Sequence, residues 1–256
     1  MKTVMIISGI DPSGGAGFVV DVAVASFLGV TPCGVVTNLT VQNAAVFKKN
    51  YQVAPEVIKE QIKLIIEEHR PDAVKIGMLG DHEMILAVND IVREYNLGNI
   101  VLDPLMISST GYPLTTEKAF SILEERLLPL TYILTPNINE AVRLANSSIG
   151  TAEEVAAAAE FISEKYGCRG VLIKGGHLGG DPLDTLYFDG RTEQLTSKRI
   201  EGDFHGTGCI LSTSLASFLA KGKDAFEAFS LAKRCQQYLI ENNVNGKWSF
   251  KQKKSK

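Results

Sequence analysis

Short apolar runs alternate with amphipathic stretches along this chain, and most of the runs break into a cluster of glycine, proline or polar residues. TVMIIS (3–8) opens the series and leads through SGIDPSGGAG into residues 16–28, which resume at helical spacing. PCGVVTNL (32–39), DAVKIGM (72–78), NIVLD (99–103), YILTP (132–136) and GVLIK (170–174) repeat the strand-like run. Residues 55–69, 81–95, 115–127, 137–146 and 152–166 supply helical patterns between them. A strand that is apolar throughout is buried on both faces, and parallel strands joined by helices satisfy that demand. The pattern predicts an α/β fold with a central, mainly parallel β-sheet and helices on both faces. The rhythm breaks once, at DTLYFDGRTEQLTSKRI, where two strand-like runs flank Asp189 and Gly190 and predict a small β-hairpin addition. Two helices, 206–221 and 224–241, close the plan.

No linker, repeat or low-complexity tract divides the 256 residues, so residues 1–245 read as a single domain. Residues 246–256, ending KQKKSK, read as a disordered basic tail. A formal net charge of -3 supplies no basic field for nucleic acid. No run of 18 or more apolar residues suggests a membrane partner. Cys33, Cys168, Cys209 and Cys235 are scattered without a C-x-x-C pair, which argues against a zinc site or a disulfide framework and fits a reducing cytoplasm.

Ligands of open parallel sheets bind beyond the C-terminal ends of the strands, so the loops there carry the functional reading. Asp11, Asp21, Gln42, Asp103, Asn137, Glu140 and Lys174 all fall at that rim. Two glycine-started helices, SGGAG and HGTGC, offer backbone N–H groups to an anion, although SGGAG is equally well read as tight helix-on-strand packing. HGTGC is more specific: Gly206 and Gly208 allow close approach, Thr207 adds a hydroxyl, and Cys209 falls in the first turn. There the helix field favours a thiolate that acts as base or nucleophile; a small buried hydrophobe is the competing reading. Asp103 and the N-x-x-E of Asn137 and Glu140 are oxygen donors suited to magnesium, with Asn137 alternatively an N-cap. His69, His82, His177 and His205 lack ligand spacing and read as surface or loop residues.

SGIDPSGGAG with Asp21, TVQN, AVKIGMLG, VLDPLM, LTPNINEA, VLIKGGHL and HGTGCILS resemble, in order, the motifs of hydroxymethylpyrimidine/phosphomethylpyrimidine kinases, the thiamin-biosynthesis branch of the ribokinase-like superfamily. The resemblance spans residues 4–241. It implies a cytoplasmic, homodimeric enzyme that uses ATP and Mg to phosphorylate 4-amino-5-hydroxymethyl-2-methylpyrimidine and then its monophosphate. By the same resemblance Gly206, Thr207 and Gly208 form an anion hole and Cys209 takes the hydroxyl proton. Lys174 neutralises phosphates; Asp103, Asn137, Glu140 and Thr207 meet the nucleotide, with Asp103 and Glu140 at the metal. Gln42 pairs with the aminopyrimidine edge, and Gly9, Asp21, Met78 and Leu105 complete the substrate pocket. Val19 and Val20, Val41 and Leu105 depart from commoner residues, which bears on substrate preference. Pyridoxal or pyridoxine kinase of the same superfamily and a non-catalytic nucleotide-binding regulator are the competing functions.

Overall fold

The computed structural model describes residues 1–43, 45–107, 111–176, 180–202, 204–244 and 247–250. In chain order the first half carries β1 (Thr3–Ile10), α1 (Gly17–Phe27), β2 (Thr31–Gln42), β3 (Phe47–Gln52), α2 (Pro55–Glu68), β4 (Ala73–Ile76), α3 (His82–Glu94), β5 (Ile100–Leu102) and α4 (Glu117–Ile122). A wider π turn (Leu123–Leu127) and then a tighter 3-10 turn (Leu128–Leu130) prolong α4. The second half carries β6 (Ile133–Leu134), α5 (Ile138–Ala145), α6 (Ala152–Tyr166), β7 (Gly170–Ile173), β8 (Leu183–Phe188), β9 (Arg191–Thr196), α7 (Thr207–Ala220) and α8 (Ala225–Glu241).

The strands form one sheet in the order β3-β2-β1-β4-β5-β6-β7-β8-β9. Pairing is parallel from β2 through β7 and antiparallel at β3, β8 and β9. The hairpin turns at Asp189 and Gly190, both at positive φ, as the dipeptide predicts. Strand β3 has no counterpart in the sequence reading. FKKNYQ carries no apolar run, and it is held as an edge strand by backbone pairing to β2, with Leu39 opposite Tyr51 and Val41 opposite Lys49. Lysines on such an edge discourage further strand addition.

Period-two alternation divides the core between the faces. Met5 and Ile7, Val74 and Ile76, Ile100 and Leu102, Leu134, Val171 and Ile173 pack beneath α2 to α6. Their neighbours Val4, Ala73, Val101, Ile133 and Leu172 pack beneath α7, α8 and part of α1. Lys75, between Val74 and Ile76, therefore faces the α1 and α7 layer. Among the described residues no helix is long and apolar enough to cross a membrane. Of the stretch expected as a tail, Trp248 donates from Nε1 to Gly15 O at 2.8 Å and Phe250 packs edge-on to Phe27; residues 251–256 lie outside the described residues.

Candidate active site

Strand order reverses between β1 and β4, and at such a switch point the loops diverge and leave a crevice. A cavity of about 790 Å³ opens there. Its wall includes every residue the sequence assigned to the site except Asp21.

At the phosphate end, Gly206 precedes α7 at φ +90, where a Cβ would stand 2.1 Å from Gly15 O. Only glycine brings the two loops this close. Gln236 Nε2 holds Thr207 O at 2.9 Å. The Gly208 backbone abuts Lys174 Nζ and Asp103 Oδ2, which a Cβ would meet at 3.3 and 3.6 Å. The first turn of α7, with its orphan N–H groups, thus shares a wall with a lysine and an aspartate drawn from two strand ends. Lys174 donates to Asp103 Oδ1 at 2.6 Å, and Oδ2 of the same buried carboxylate has no hydrogen-bond partner among the described residues.

Asn137 and Glu140 form a reciprocal capping box at α5, the N-cap reading of Asn137, and both line the cavity. Asn137 Oδ1 accepts from Glu140 N at 2.9 Å, while Glu140 Oε2 accepts from Asn137 N at 2.8 Å. Burial pushes the Glu140 carboxyl up to about 7; Lys174 opposes this and Asp103 adds to it. Among the described residues no three His, Cys, Asp or Glu side chains are grouped to hold a metal on protein ligands alone. Magnesium characteristically takes one or two carboxylates and completes its shell with phosphates and water. The partnerless Asp103 oxygen and Glu140 fit that demand.

Cys209 departs from the expected ionisation. It sits in the first turn of α7 but is only 5% exposed, and burial pushes its thiol up to about 11 against the pull of Lys75. Desolvation outweighs the helix field at this depth. The second glycine loop is likewise not an open anion site, because Asp11 fills it: its carboxylate accepts from Ser13 N at 2.9 Å and from Ala16 N at 3.1 Å. Gly17, at φ +60 with its Cβ position 2.5 Å from Gly9 O, packs α1 tightly on β1, the other reading of SGGAG.

At the other end Gln42 closes β2, and Gly9 leaves room for Met78, whose sulfur would lie 3.1 Å from a Cβ. Thr37 Oγ1 donates to Met78 O at 2.6 Å and fixes that loop. Leu105 lines the cavity, whereas Val19, Val20 and Val41 do not, so Leu105 alone of the unusual residues touches the pocket. Asp21 lies behind it. Its fully buried carboxylate accepts from Ser8, Lys75 and Thr213, and the expectation that it meets substrate is corrected.

Several cavity residues escaped the sequence reading. His205, read as a loop residue, bonds Asp11 Oδ2 through Nε2 at 3.0 Å and ties the two glycine loops together. His177 lies outside the described residues. Asp184 and Lys233 form a buried pair at 2.6 Å, joining β8 to α8. Phe47, which lines the cavity, stacks on Tyr112 with ring centroids 4.5 Å apart. Partners this distant in sequence carry no local spacing; the lysine interrupting the apolar run AVKIG was the one visible signal.

A family model described as phosphomethylpyrimidine kinase matches residues 11–252. The chain is 40% identical over 230 residues to the hydroxymethylpyrimidine/phosphomethylpyrimidine kinase of Rhizobium meliloti, covering 89% of this chain and 86% of that protein. It is 37% identical over 234 residues to the thiamine biosynthesis bifunctional protein ThiED of Geobacter sulfurreducens; that match covers 91% of this chain but 48% of the larger protein. The crystal structure of phosphomethylpyrimidine kinase from Clostridium difficile 630 superposes with a TM-score of 0.83 at 34% identity, over 94% of this chain and 99% of that one. The pyridoxal kinase of Staphylococcus aureus in complex with pyridoxal superposes with a TM-score of 0.86 at 28% identity, over 94% and 88%. With its α/β ribokinase-like architecture and a family match running through almost the whole sheet, the chain belongs to the phosphomethylpyrimidine kinase family.

Proposed function

We propose that this chain is an ATP- and Mg-dependent kinase of thiamin biosynthesis that phosphorylates 4-amino-5-hydroxymethyl-2-methylpyrimidine and then its monophosphate. One observation carries the reading: a single cavity joins the glycine-bounded start of α7, the Lys174 and Asp103 pair, Cys209, and the amide of Gln42. The names of the relatives supply the substrate class.

In this reading the first-turn N–H groups at Gly206, Thr207 and Gly208 bind the transferred phosphoryl, and Lys174 offsets charge on the nucleotide phosphates. The substrate hydroxyl oxygen bonds phosphorus as the bond from phosphorus to the departing ADP oxygen breaks, and the hydroxyl proton passes to ionised Cys209 Sγ. A thiol that binds its proton as firmly as Cys209 is a strong acceptor once ionised. Magnesium held by Asp103 and Glu140 would neutralise phosphate charge when the nucleotide is bound. Asn137 uses Oδ1 in its cap and keeps its amide N–H for the nucleotide. Gln42 presents donor and acceptor to the aminopyrimidine edge, against walls of Gly9, Met78 and Leu105. Asp21 serves the pocket from behind.

A homodimer and a cytoplasmic location belong to the same reading. The former is supported by Leu39, Val41 and Tyr51, large apolar side chains exposed on the edge strand β3 and its neighbour β2, and light scattering on the eluting peak reads it. The latter is supported by four free cysteines.

The test is turnover of purified protein with ATP and magnesium on hydroxymethylpyrimidine, its monophosphate and pyridoxal separately, with products weighed by mass spectrometry. Phosphorylation of both pyrimidines with little on pyridoxal is expected. Preference for pyridoxal overturns the role of Gln42, and no turnover on any of the three favours a nucleotide-binding regulator.

A further inference from the structure

One helical turn past Cys209, at Thr213 on α7, lies a buried charged cluster that the proposed phosphate apparatus leaves unused. Alternation along β4 turns Lys75 toward α1 and α7, where its side chain is fully buried and backs the cavity. Its ammonium donates to Asp21 Oδ2 at 2.7 Å. Ser8 Oγ donates to the same oxygen at 2.9 Å, and Thr213 Oγ1 donates to Asp21 Oδ1 at 2.7 Å. Four elements, β1, α1, β4 and α7, are thereby tied to one carboxylate. Glycine at position 77 makes the room, since a Cβ there would stand 2.7 Å from Lys75 Nζ. An ammonium has three N–H donors, and among the described residues Asp21 is its one hydrogen-bond partner. Stability alone does not call for such a group, because well-packed apolar side chains replace buried ion pairs without loss in many proteins.

We propose that Lys75 is a positioning residue for the proton acceptor: held by Asp21, which is fixed to Thr213 one helical turn past Cys209 on α7, its ammonium supplies the positive field in which Cys209 ionises. The inference rests on the reading of Cys209 as the group that takes the hydroxyl proton. The charged groups around the thiol come from four sides: Lys75 on β4, Asp21 on α1, Asp103 after β5 and Lys174 after β7. Burial raises the thiol most, Lys75 is the largest influence lowering it, Asp21 and Asp103 raise it, and the Gly17 N–H lowers it further. Lys75 keeps its own proton throughout, since the Asp21 charge overcomes the burial that works against it.

The two members of the pair act on the thiol with opposite sign, which separates this role from mere support of the fold. The measurement is kcat against pH at saturating ATP, magnesium and hydroxymethylpyrimidine for Lys75→Met, Asp21→Asn and the double variant, with a thermal melt of each. The rising limb is expected to move to higher pH in Lys75→Met and to lower pH in Asp21→Asn, while KM for ATP changes little. A displacement of one pH unit is a tenfold change in the ionised fraction on the acid side. The double variant leaves no orphan charge, so it keeps the test readable if either single variant fails to fold. Its limb moves upward, because Lys75 outweighs Asp21 at the thiol. Limbs that stay in place, or shift the same way in both single variants, overturn the inference. Cys209→Ser is the separate control: wild-type turnover in that variant removes the proton-acceptor reading itself, whatever Lys75 does.

Discussion

At the scale of single residues, the proposed chemistry depends on a thiol placed where ionisation is hard. In the proposed role Cys209 loses a proton inside a packed helix layer and regains it from the substrate hydroxyl, and no histidine is among the groups that influence it. Replacing it with alanine removes the acceptor while leaving the N–H groups of α7 in place. Cys209→Ala is therefore expected to lower kcat by about 10²- to 10⁴-fold, the usual span for a general base, with KM for ATP nearly unchanged. Steady-state kinetics checks both. Gln42 lines the cavity from the end of β2, and in the proposed reading it meets the pyrimidine and not the phosphates. Gln42→Ala is expected to raise KM for the pyrimidine well above its effect on kcat, and an unchanged KM counts against the pocket assignment. Both residues stand in local motifs that the sequence singles out, and both line the cavity. The burial that raises the Cys209 thiol was not legible there, because it is set by Val20, Val24 and Leu239, which pack around it from α1 and α8.

Among the elements, the two capping boxes of α5 and α6 offer a controlled comparison. Thr151 caps α6 through Glu154 just as Asn137 caps α5 through Glu140, but only the second pair lines the cavity. Thr151→Ala is expected to cost about 1 kcal/mol of stability with kcat and KM unchanged, as loss of an N-cap ordinarily does. Asn137→Ala is expected to cost a similar amount and also to raise KM for ATP. Denaturant melts and kinetics on the two variants together separate capping from nucleotide contact. The helices announced themselves through 3.6-residue periodicity, and each expected helix is present. Strand β3 did not, since an edge strand pairs through its backbone and needs no apolar alternation. The contact between His205 and Asp11 escaped for a related reason: the histidine is unremarkable in its own loop, and the two meet only because α7 starts beside the end of β1.

For the molecule as a whole, the sheet separates two packed layers that serve different ends. The α2 to α6 layer holds the larger core cluster, while the α1, α7 and α8 layer carries Cys209 and the charged pairs. Phe229, fully buried on α8, anchors the second layer without lining the cavity. Phe229→Ala is expected to lose about 3–5 kcal/mol, the usual range for emptying a buried aromatic site, and to lower Tm while KM for both substrates holds well below the melt. Thermal unfolding followed by circular dichroism, with kinetics at low temperature, reads the outcome. What the amino-acid sequence determined by itself is the alternation of buried strands and amphipathic helices, hence a mainly parallel sheet, and the glycine and carboxylate loops that follow its strands, because each of these is written in local spacing. Only the tertiary structure decided that the start of α7 lines the cavity while the loop before α1 is filled by its own aspartate. It also placed Asp21 behind the pocket and left the cysteine at the helix start buried instead of ionised. Those outcomes depend on desolvation and on contacts between residues as far apart as Asp21 and Thr213, and such contacts exist only once the sheet has brought the layers together.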